Sequence, residues 1–254
     1  MKFLVVYNEG DEDSKRVVEE VRSLGVEVVE EGYDFVLSCG GDGTFLKASK
    51  YAYLYDKPII GINVKATLGF LCWYYPDEIK KIIENLEQNK YSLEERFLLE
   101  AEYKDRVLYA VNDVIIVIRE SPKILKIKVS VKGKELTTFR ADGVIFSTST
   151  GSTAYNLACG GPLLHPKIDA YIMTPIAAHS LTLRPVVLPR DCSSEVQVWS
   201  RGDPILLSAD CQENIKIKSG DVVKIKVSQK KLKMVKFDDT KNFFELLNEK
   251  LEWH

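Results

Sequence analysis

The ten residues Val36-Leu-Ser-Cys-Gly-Gly-Asp-Gly-Thr-Phe45 decide the fold of this chain. An apolar run, typical of a buried strand, leads directly into a glycine-rich turn and then into a segment with a helical pattern. Glycine carries no Cβ, so the chain can turn sharply there and its N–H groups can approach an anion closely. The stretch predicts a phosphate-binding turn formed by Gly40, Gly41, Gly43 and Thr44, followed by a helix that Thr44 caps.

Asp42 is the exceptional member of this turn. A carboxylate beside a phosphate site is unfavourable unless it binds a metal or accepts a proton from an attacking hydroxyl, so Asp42 is the candidate catalytic residue. The alternative is a tight turn in which Asp42 has only a local role. The sequence lacks the Lys-Ser/Thr ending of a P-loop and has Leu46 where a Rossmann fingerprint needs glycine.

The composition is that of an ordinary globular protein. The 254 residues are 45% hydrophobic and 28% charged, which allows one large domain or two smaller ones. A net charge of −2 gives no electrostatic case for nucleic acid as a partner. The apolar run Met1 to Tyr7 is too short for a signal peptide or a membrane span. Five scattered cysteines indicate reduced thiols, so we expect a cytoplasmic protein with no membrane partner.

Two patterns of hydrophobic residues divide the chain. Strands and helices alternate over 1–94, which predicts a Rossmann-like parallel α/β domain. Residues 95–237 alternate with period two, which predicts a β-sandwich domain. The tail 238–254 is helical again, with Asp239 or Thr240 as its cap, and we expect this amphipathic helix to return to the α/β domain. The expected elements of the first domain are strands at 2–7, 26–30, 35–39 and 59–63 and helices at 13–24, 44–55 and 77–88.

A second chemical cluster follows a strand of the predicted β domain. Seven consecutive small or hydroxyl residues, Ser147 to Thr153, offer hydrogen-bond donors and bare backbone to a polar ligand. The alternative is a simple Ser/Thr-rich surface loop, which would not need Tyr155 or the corner Gly160-Gly-Pro162. The cluster therefore predicts a ligand pocket.

Asn112 and Asp113 interrupt an apolar run at 109–118. An unsatisfied buried amide or carboxylate costs about 1–3 kcal/mol, so such residues usually have partners. The pair indicates either a ligand site or a bulge or strand-end hydrogen bond.

Taken together, these motifs resemble the NAD kinases, which phosphorylate the 2′-hydroxyl of the adenosine ribose of NAD to make NADP. The chain departs from the family pattern at 63–71, which is one residue longer and lacks the first glycine, and at Cys211, where glycine or serine is usual. The matching stretches occur in family order and cover most of the chain: Gly40-Gly-Asp-Gly-Thr44, Val111-Asn-Asp113, Arg140-Ala-Asp-Gly143, Thr150-Gly-Ser-Thr-Ala-Tyr155, Gly160-Gly-Pro162, Pro175 with His179-Ser-Leu181 and Arg184-Pro185, and Ser208-Ala-Asp-Cys-Gln212.

The resemblance implies that ATP or another donor gives its terminal phosphoryl group to NAD, and that Asp42 accepts the 2′ proton. We expect Mg²⁺ or another divalent cation to bind through the phosphates of ATP, without a protein metal site. The edges of the β domain favour a homo-oligomer, a dimer or tetramer. The residues implied to bind NAD are Asp42, Gly43, Lys47, Asn112, Asp113, Arg140, Asp142, Thr150, Ser152, Thr153, Ala154, Tyr155, Asn156, Ala177 and Gln212, and those implied to bind the donor phosphates are Gly40, Gly41, Gly43 and Thr44.

Two other functions are compatible with parts of the sequence. A lipid or diacylglycerol kinase has a similar Gly-Gly-Asp-Gly-Thr turn and a β domain, although Thr150 to Pro162 favours a dinucleotide acceptor. A protein that senses NAD or NADP without turnover would retain the Ser/Thr pocket but would have no use for Asp42.

Overall fold

The computed structural model describes residues 1–65, 69–118, 124–202 and 204–252. The chain divides into two compact units. The α/β unit comprises Met1–Arg96 and Lys230–His254, and the β unit comprises Phe97–Gln229. No helix in the described ranges is long and apolar enough to cross a membrane.

Sixteen strands and five α-helices make up these two units in the described part of the chain. Their bounds, in chain order, are β1 Lys2–Tyr7, α1 Glu12–Ser23, β2 Glu27–Val28, β3 Phe35–Gly40, α2 Asp42–Leu54, β4 Ile59–Asn63, α3 Ile79–Glu87, β5 Ser92–Tyr103, β6 Arg106–Ala110, β7 Asp113–Ile118, β8 Leu125–Val131, β9 Lys134–Ala141, β10 Gly143–Ser147, α4 Tyr155–Ala158, β11 Ala170–Ile176, β12 Val186–Pro189, β13 Ser193–Trp199, β14 Ile205–Ala209, β15 Glu213–Ile217, β16 Val222–Lys236 and α5 Phe243–Leu251, with 3₁₀ turns at Pro76–Glu78 and Thr150–Thr153.

The sheet of the α/β unit is parallel. Its strand order is β2-β1-β3-β4, and the end of β16 extends it where Met234 pairs with Ile59. Every residue of β3 and β4 is buried, which fits their continuous apolar sequences. Helices α1 and α3 bury Val17, Val21 and Ile82 against this sheet. The Rossmann-like prediction is confirmed, and the glycine turn leaves the carboxyl end of β3, where sheets of this kind bind ligands.

The β unit is a sandwich of antiparallel strands. One sheet has the order β12-β11-β10-β7-β14-β15, and in the other β13 lies between β16 and β8, with β9 beyond β8. Both sheets contribute to one core, for example Phe146 and Tyr171 from the first and Val196 and Ile225 from the second. The predicted β-sandwich is therefore confirmed.

The two predicted helix caps are wrong. Helix α2 begins at Asp42, with Gly41 as its N-cap, and the N–H of Thr44 donates to the carbonyl of Gly41 at 2.9 Å, so Thr44 lies inside the first turn. The tail helix α5 is capped by Asn242, whose side chain accepts the N–H of Glu245 while the Glu245 carboxylate accepts the N–H of Asn242. This reciprocal pair satisfies two terminal N–H groups at once, which a cap at 239 or 240 would not do.

The tail helix lies in the α/β unit, as predicted. Strand β2 is shorter than the expected 26–30. Residues 66–68 of the divergent stretch 63–71, Asp203 and the last two residues lie outside the described residues.

Candidate functional site

Three successive backbone N–H groups hold the carboxylate of Asp42. Oδ2 accepts the N–H of Phe70 at 2.8 Å, and Oδ1 accepts those of Leu71 at 3.1 Å and Cys72 at 3.3 Å. The side chain of Asp42 is nevertheless 30% exposed. Since a carboxylate has about four acceptor positions, these bonds fix its orientation and leave acceptor capacity on Oδ2 for a ligand.

The close approach of the chain to Asp42 requires glycine. A Cβ at Gly69 would lie 2.3 Å from Asp42 Oδ1, well inside van der Waals contact. The divergent stretch 63–71 therefore keeps the one residue type that allows its backbone to bind the carboxylate.

The tail helix brings a cation to the same carboxylate. Nζ of Lys250 lies 4.0 Å from Asp42 Oδ2 and 4.3 Å from the ring centroid of Phe70. The sequence pattern does not point to Lys250, because nothing in it distinguishes this lysine among the 35 lysines and arginines of the chain. Only the return of α5 to the α/β unit identifies it.

The rest of the turn presents backbone to solvent. Gly40 is buried at the end of β3, Gly41 and Thr44 are half-buried, and Gly43 and Lys47 are exposed. The first N–H groups of a helix have no intrahelical partner and carry the positive end of the helix dipole. The start of α2 can therefore bind a phosphate beside Asp42.

A second aspartate holds the backbone in the same way in the β unit. The carboxylate of Asp210 accepts the N–H groups of Val111, Asn112 and Asp113 at 2.7, 2.8 and 3.1 Å. The apolar run at 109–118 is thus two strands, β6 and β7, joined through strand-end hydrogen bonds. Asp210 lies in the stretch Ser208-Ala-Asp-Cys-Gln212, which matches the family pattern. Its contact with these donors is not evident from the sequence, because about a hundred residues separate them.

Asp210 is the first of two central residues in a tight turn between β14 and β15. Asp210 and Cys211 have φ of 52° and 55°, and the N–H of Gln212 donates to the carbonyl of Ala209 at 2.9 Å. Both central residues occupy the left-handed region, where glycine is favoured. Cys211 therefore occupies a position in which the usual glycine would be less strained.

Burial is the main cause of the shifted pKa values of the acidic groups around Asp210. It raises the pKa of Asp113 to about 8, with the charge of Asp210 adding to the effect. Burial also raises the pKa of Asp210 to about 6, although the three N–H groups act in the opposite direction. Burial raises the pKa of Tyr155, Cys159 and Cys211 as well, and the charge of Asp113 adds to each. Asp113 is therefore mainly protonated at neutral pH and has a tyrosine and two thiols as neighbours.

The hydroxyl-rich loop, Ser147 to Thr153, is hydrogen-bonded to the link between β6 and β7. The hydroxyl of Thr148 donates to the carbonyl of Val111 at 2.6 Å and accepts the N–H of Gly151 at 2.9 Å. A Cβ at Gly151 would lie 2.0 Å from the carbonyl oxygen of Asn112. Some of the small residues in this loop are therefore required because its backbone packs directly against the backbone of Asn112.

Two of the predicted site residues point into the β unit. Ser152 Oγ donates to the carbonyl of Leu164 at 3.1 Å and accepts its N–H at 2.7 Å. The Asn156 amide donates to the carbonyls of Ser152 and Pro162, both at 3.1 Å, and accepts the hydroxyl of Thr174 at 2.7 Å. Both side chains are fully buried, so their polar groups hold the shape of the loop.

Strand β10 separates the predicted site residues of the β unit into two groups. At one end Gly143 pairs with Ile176, and at the other Ser147 pairs with Asp113. The five residues of β10 place these ends about 14 Å apart, so only an extended ligand could touch both. The first end carries Arg140, Asp142 and Ala177, and the second carries Asn112, Asp113, Thr150, Ser152, Thr153, Ala154, Tyr155, Asn156 and Gln212.

Exposure distinguishes these residues further. Tyr155 is 41% exposed, and Arg140, Ala177 and Gln212 are exposed. Asn112 and Asp142 are half-buried. Thr153 and Ala154 are half-buried too, whereas Thr150 is only 7% exposed. The exposed and half-buried members are those that a ligand can reach directly.

Two protein families match consecutive parts of the chain. The ATP-NAD kinase N-terminal domain matches residues 5–91, and the ATP-NAD kinase C-terminal domain matches residues 111–237. Curated relatives named NAD kinase are similar over most of their length. The protein of Sulfurimonas denitrificans is 38% identical over 87% of this chain and 78% of its own, and that of Caldicellulosiruptor saccharolyticus is 36% identical over 86% and 82%.

Solved structures agree with the fold. An NAD kinase from Archaeoglobus fulgidus in complex with ATP has a TM-score of 0.82 at 27% identity, with full coverage of both chains. The yeast NADH kinase complexed with NADH has a TM-score of 0.88 at 23% identity over all of this chain and 88% of that one. At that identity the yeast structure supports the fold alone.

Proposed function

Because the chain belongs to the NAD kinase family, we propose that it transfers the terminal phosphoryl group of ATP, or of another donor, to the 2′-hydroxyl of the adenosine ribose of NAD. The product is NADP. The observation that carries the proposal is the carboxylate of Asp42, which is partly exposed and held by three N–H groups at the start of a helix. The alternatives of a lipid kinase and a non-catalytic sensor are not favoured by this family membership.

The proposed chemistry uses Asp42 as the proton acceptor. The 2′-oxygen attacks the γ-phosphorus, and the 2′ proton passes to Oδ2. The bond from the γ-phosphorus to the bridging oxygen breaks, and its electron pair remains on ADP. Proton acceptance contributes a factor of about 10²–10⁴, and positioning with charge neutralisation contributes the larger share. In this proposal the N–H groups of Asp42 and Gly43 at the start of α2 bind the donor phosphates together with Gly40, Gly41 and the hydroxyl of Thr44, because the N–H of Thr44 donates to the carbonyl of Gly41.

In the β unit we assign ligand contact to the reachable residues. Thr153, Ala154 and Tyr155 line the adenine and ribose, where the exposed ring of Tyr155 offers an apolar face. The half-buried side chain of Asn112 offers an amide donor to a ligand. Asp113 is buried, and because it is protonated near neutral pH it can donate a hydrogen bond only to a ligand group that enters its site. At the other end of β10, Arg140, Asp142 and Ala177 are assigned to the nicotinamide portion. Gln212, at the same end of β10 as Tyr155, and Lys47 of the α/β unit are proposed as further contacts with NAD, and Thr150, Ser152 and Asn156 shape the pocket.

Mg²⁺ is proposed to bind together with the phosphoryl donor, through the donor's phosphates. In the ranges that the structure describes, no group of three or more His, Cys, Asp or Glu side chains converges to hold a metal ion. Mg²⁺ usually keeps several waters and is bound through one or two carboxylates and the phosphates of the substrate. Bound in this way, it would neutralise charge on the β- and γ-phosphates, and Asp42 is the carboxylate that could contact one of its waters.

We also propose a homo-oligomer that works in the cytoplasm. Edge strand β12 exposes Val187, and β9 exposes Leu136, at 45% and 40%, which favours association through the β unit. All five cysteines are free thiols, as expected in a reducing compartment. Light scattering after gel filtration measures the assembly, and a mass equal to one chain would contradict it.

The experiment that tests the function is a coupled assay of NADP formation. The purified protein is incubated with NAD and, in turn, ATP, another nucleoside triphosphate or polyphosphate, with and without Mg²⁺. A diacylglycerol acceptor with labelled ATP serves as the control. We expect NADP with at least one donor and no labelled lipid. Labelled lipid without NADP would overturn the proposal in favour of a lipid kinase, and NAD binding by calorimetry without turnover would indicate a sensor.

A further inference from the structure

We infer that Lys250 of the tail helix is a further catalytic residue, which binds the phosphoryl group during its transfer. The inference rests on the proposed kinase function. It assigns a reaction role to α5, whose sequence indicates only an amphipathic helix.

The glycine turn Gly40 to Thr44 carries no positively charged side chain. Phosphoryl transfer is catalysed mainly by groups that neutralise the equatorial oxygens of the transferring group. In P-loop enzymes a lysine in the loop itself supplies part of this charge, and Gly40 to Thr44 contains no lysine. Asp42 adds a negative charge next to the phosphate position. A side-chain cation from elsewhere in the fold, placed beside Asp42, would add to the neutralisation that Mg²⁺ supplies on the donor phosphates.

Lys250 has the geometry for this role. Its Nζ lies 4.0 Å from Asp42 Oδ2, which is longer than a direct hydrogen bond, so the carboxylate does not take up the donors of the ammonium group. The ammonium group has three donors, and the side chain is 31% exposed. It also lies 4.3 Å from the ring centroid of Phe70, the residue whose N–H binds the same Oδ2. A phosphoryl oxygen held by Nζ would therefore be adjacent to the oxygen that accepts the 2′ proton.

Another lysine of the tail provides a matched control. Lys241 lies just before α5, and its Nζ contacts both carboxylate oxygens of Glu249, at 2.6 and 2.8 Å. This is an ordinary exposed ion pair, and such pairs contribute little to stability. Lys241 and Lys250 thus belong to the same tail but differ in whether they face the candidate catalytic carboxylate.

The test compares Lys250→Met, Lys250→Arg and Lys241→Met in the full chain. Methionine retains an apolar side chain of similar length and removes the charge that lies over the ring of Phe70, whereas arginine retains the charge. We expect Lys250→Met to lower kcat for NADP formation about 100-fold, with KM for NAD and the melting temperature little changed. Lys250→Arg should recover most of kcat, and Lys241→Met should match the unaltered protein.

Two results would overturn the inference. One is a kcat for Lys250→Met within about twofold of the unaltered protein. The other is a loss of kcat that comes with a lower melting temperature, a higher KM for both substrates and no recovery in Lys250→Arg, which would mean that Lys250 only anchors α5. A failure of the proposed function is distinguishable, because then the unaltered protein itself would form no NADP.

Discussion

Asp42 in the α/β unit and Asp210 in the β unit bind the backbone in the same way and differ in their surroundings. Each carboxylate accepts three successive N–H groups, from 70–72 in one case and from 111–113 in the other. Asp42 has a partly exposed side chain at the start of a helix, with a lysine nearby. Asp210 is 8% exposed and has another acid, Asp113, as its neighbour.

The difference shows that a carboxylate bound by three successive backbone N–H groups can serve two purposes. Around Asp42 the N–H groups fix a carboxylate that a substrate can still reach, and the positive surroundings favour an anion beside it. Around Asp210 the same bonds fix the link between β6 and β7, which presents Asn112 and Asp113. We therefore expect substitutions of Asp42 to change the reaction and substitutions of Asp210 to change stability.

The largest expected effect on stability is that of Asp210→Ala. The change leaves three N–H groups without their acceptor, and each buried unsatisfied group costs about 1–3 kcal/mol. We expect the free energy of unfolding in urea to fall by about 3 kcal/mol or more. Asp42→Ala serves as the control, because water can replace its partly exposed carboxylate. Equal losses of stability in the two variants would remove the distinction between the aspartates.

The next effect concerns pH. The folded-state pKa of Asp113 is raised to about 8, so the native state retains a proton that the unfolded state releases near pH 4. Stability is therefore lost progressively as pH rises from about 4 to about 8, by at most about 1.4 kcal/mol per pH unit. Asp210, whose pKa is raised to about 6, contributes to this loss of stability only between about pH 4 and pH 6.

Asp113→Asn isolates this contribution between pH 6 and 8. Asparagine mimics the neutral acid, so the variant should be progressively more stable than the unaltered protein as pH rises through this window. Thermal melts at half-unit intervals measure the difference. Parallel curves for the two proteins would mean that Asp113 does not hold a proton in the native state.

The smallest expected effect is that of Gly69→Ala. A Cβ there would press on Asp42 Oδ1 and tilt the carboxylate, while the chain still folds. We expect about a tenfold lower kcat, since small misplacements of reacting groups reduce rates. Gly10→Ala, whose Cβ would meet only Asn8 Oδ1 at an ordinary 3.5 Å, is the matched control. Unchanged kcat in Gly69→Ala would show that the orientation of Asp42 is not critical.

The sequence predicted the features that depend on local pattern. The parallel α/β order, the β-sandwich and the return of the tail helix follow from periodicity and the need to bury apolar faces. The turn at Gly40 and the importance of Asp42 follow from residue types within one short stretch. Helix α2 starts at Asp42, two residues before the predicted start at Thr44. Both Gly41 and Thr44 are adequate N-caps, and the sequence does not indicate which of them is used.

The contacts that complete the candidate site depend on distant residues and were not predictable. Phe70 and Asp42 are 28 positions apart, and Asp210 is nearly a hundred from its donors. Lys250 is farther still from Asp42 and carries no local signal. Periodicity describes neighbours along the chain, whereas these contacts arise only when the tertiary fold is formed.

The most direct test of the account is the kcat of Asp42→Asn for NADP formation, measured beside its NAD affinity by calorimetry. Asparagine has nearly the same shape but cannot accept the 2′ proton. The account predicts a kcat lower by about 10²–10⁴-fold, with NAD affinity and melting temperature close to those of the unaltered protein. Turnover at the normal rate in Asp42→Asn would contradict it.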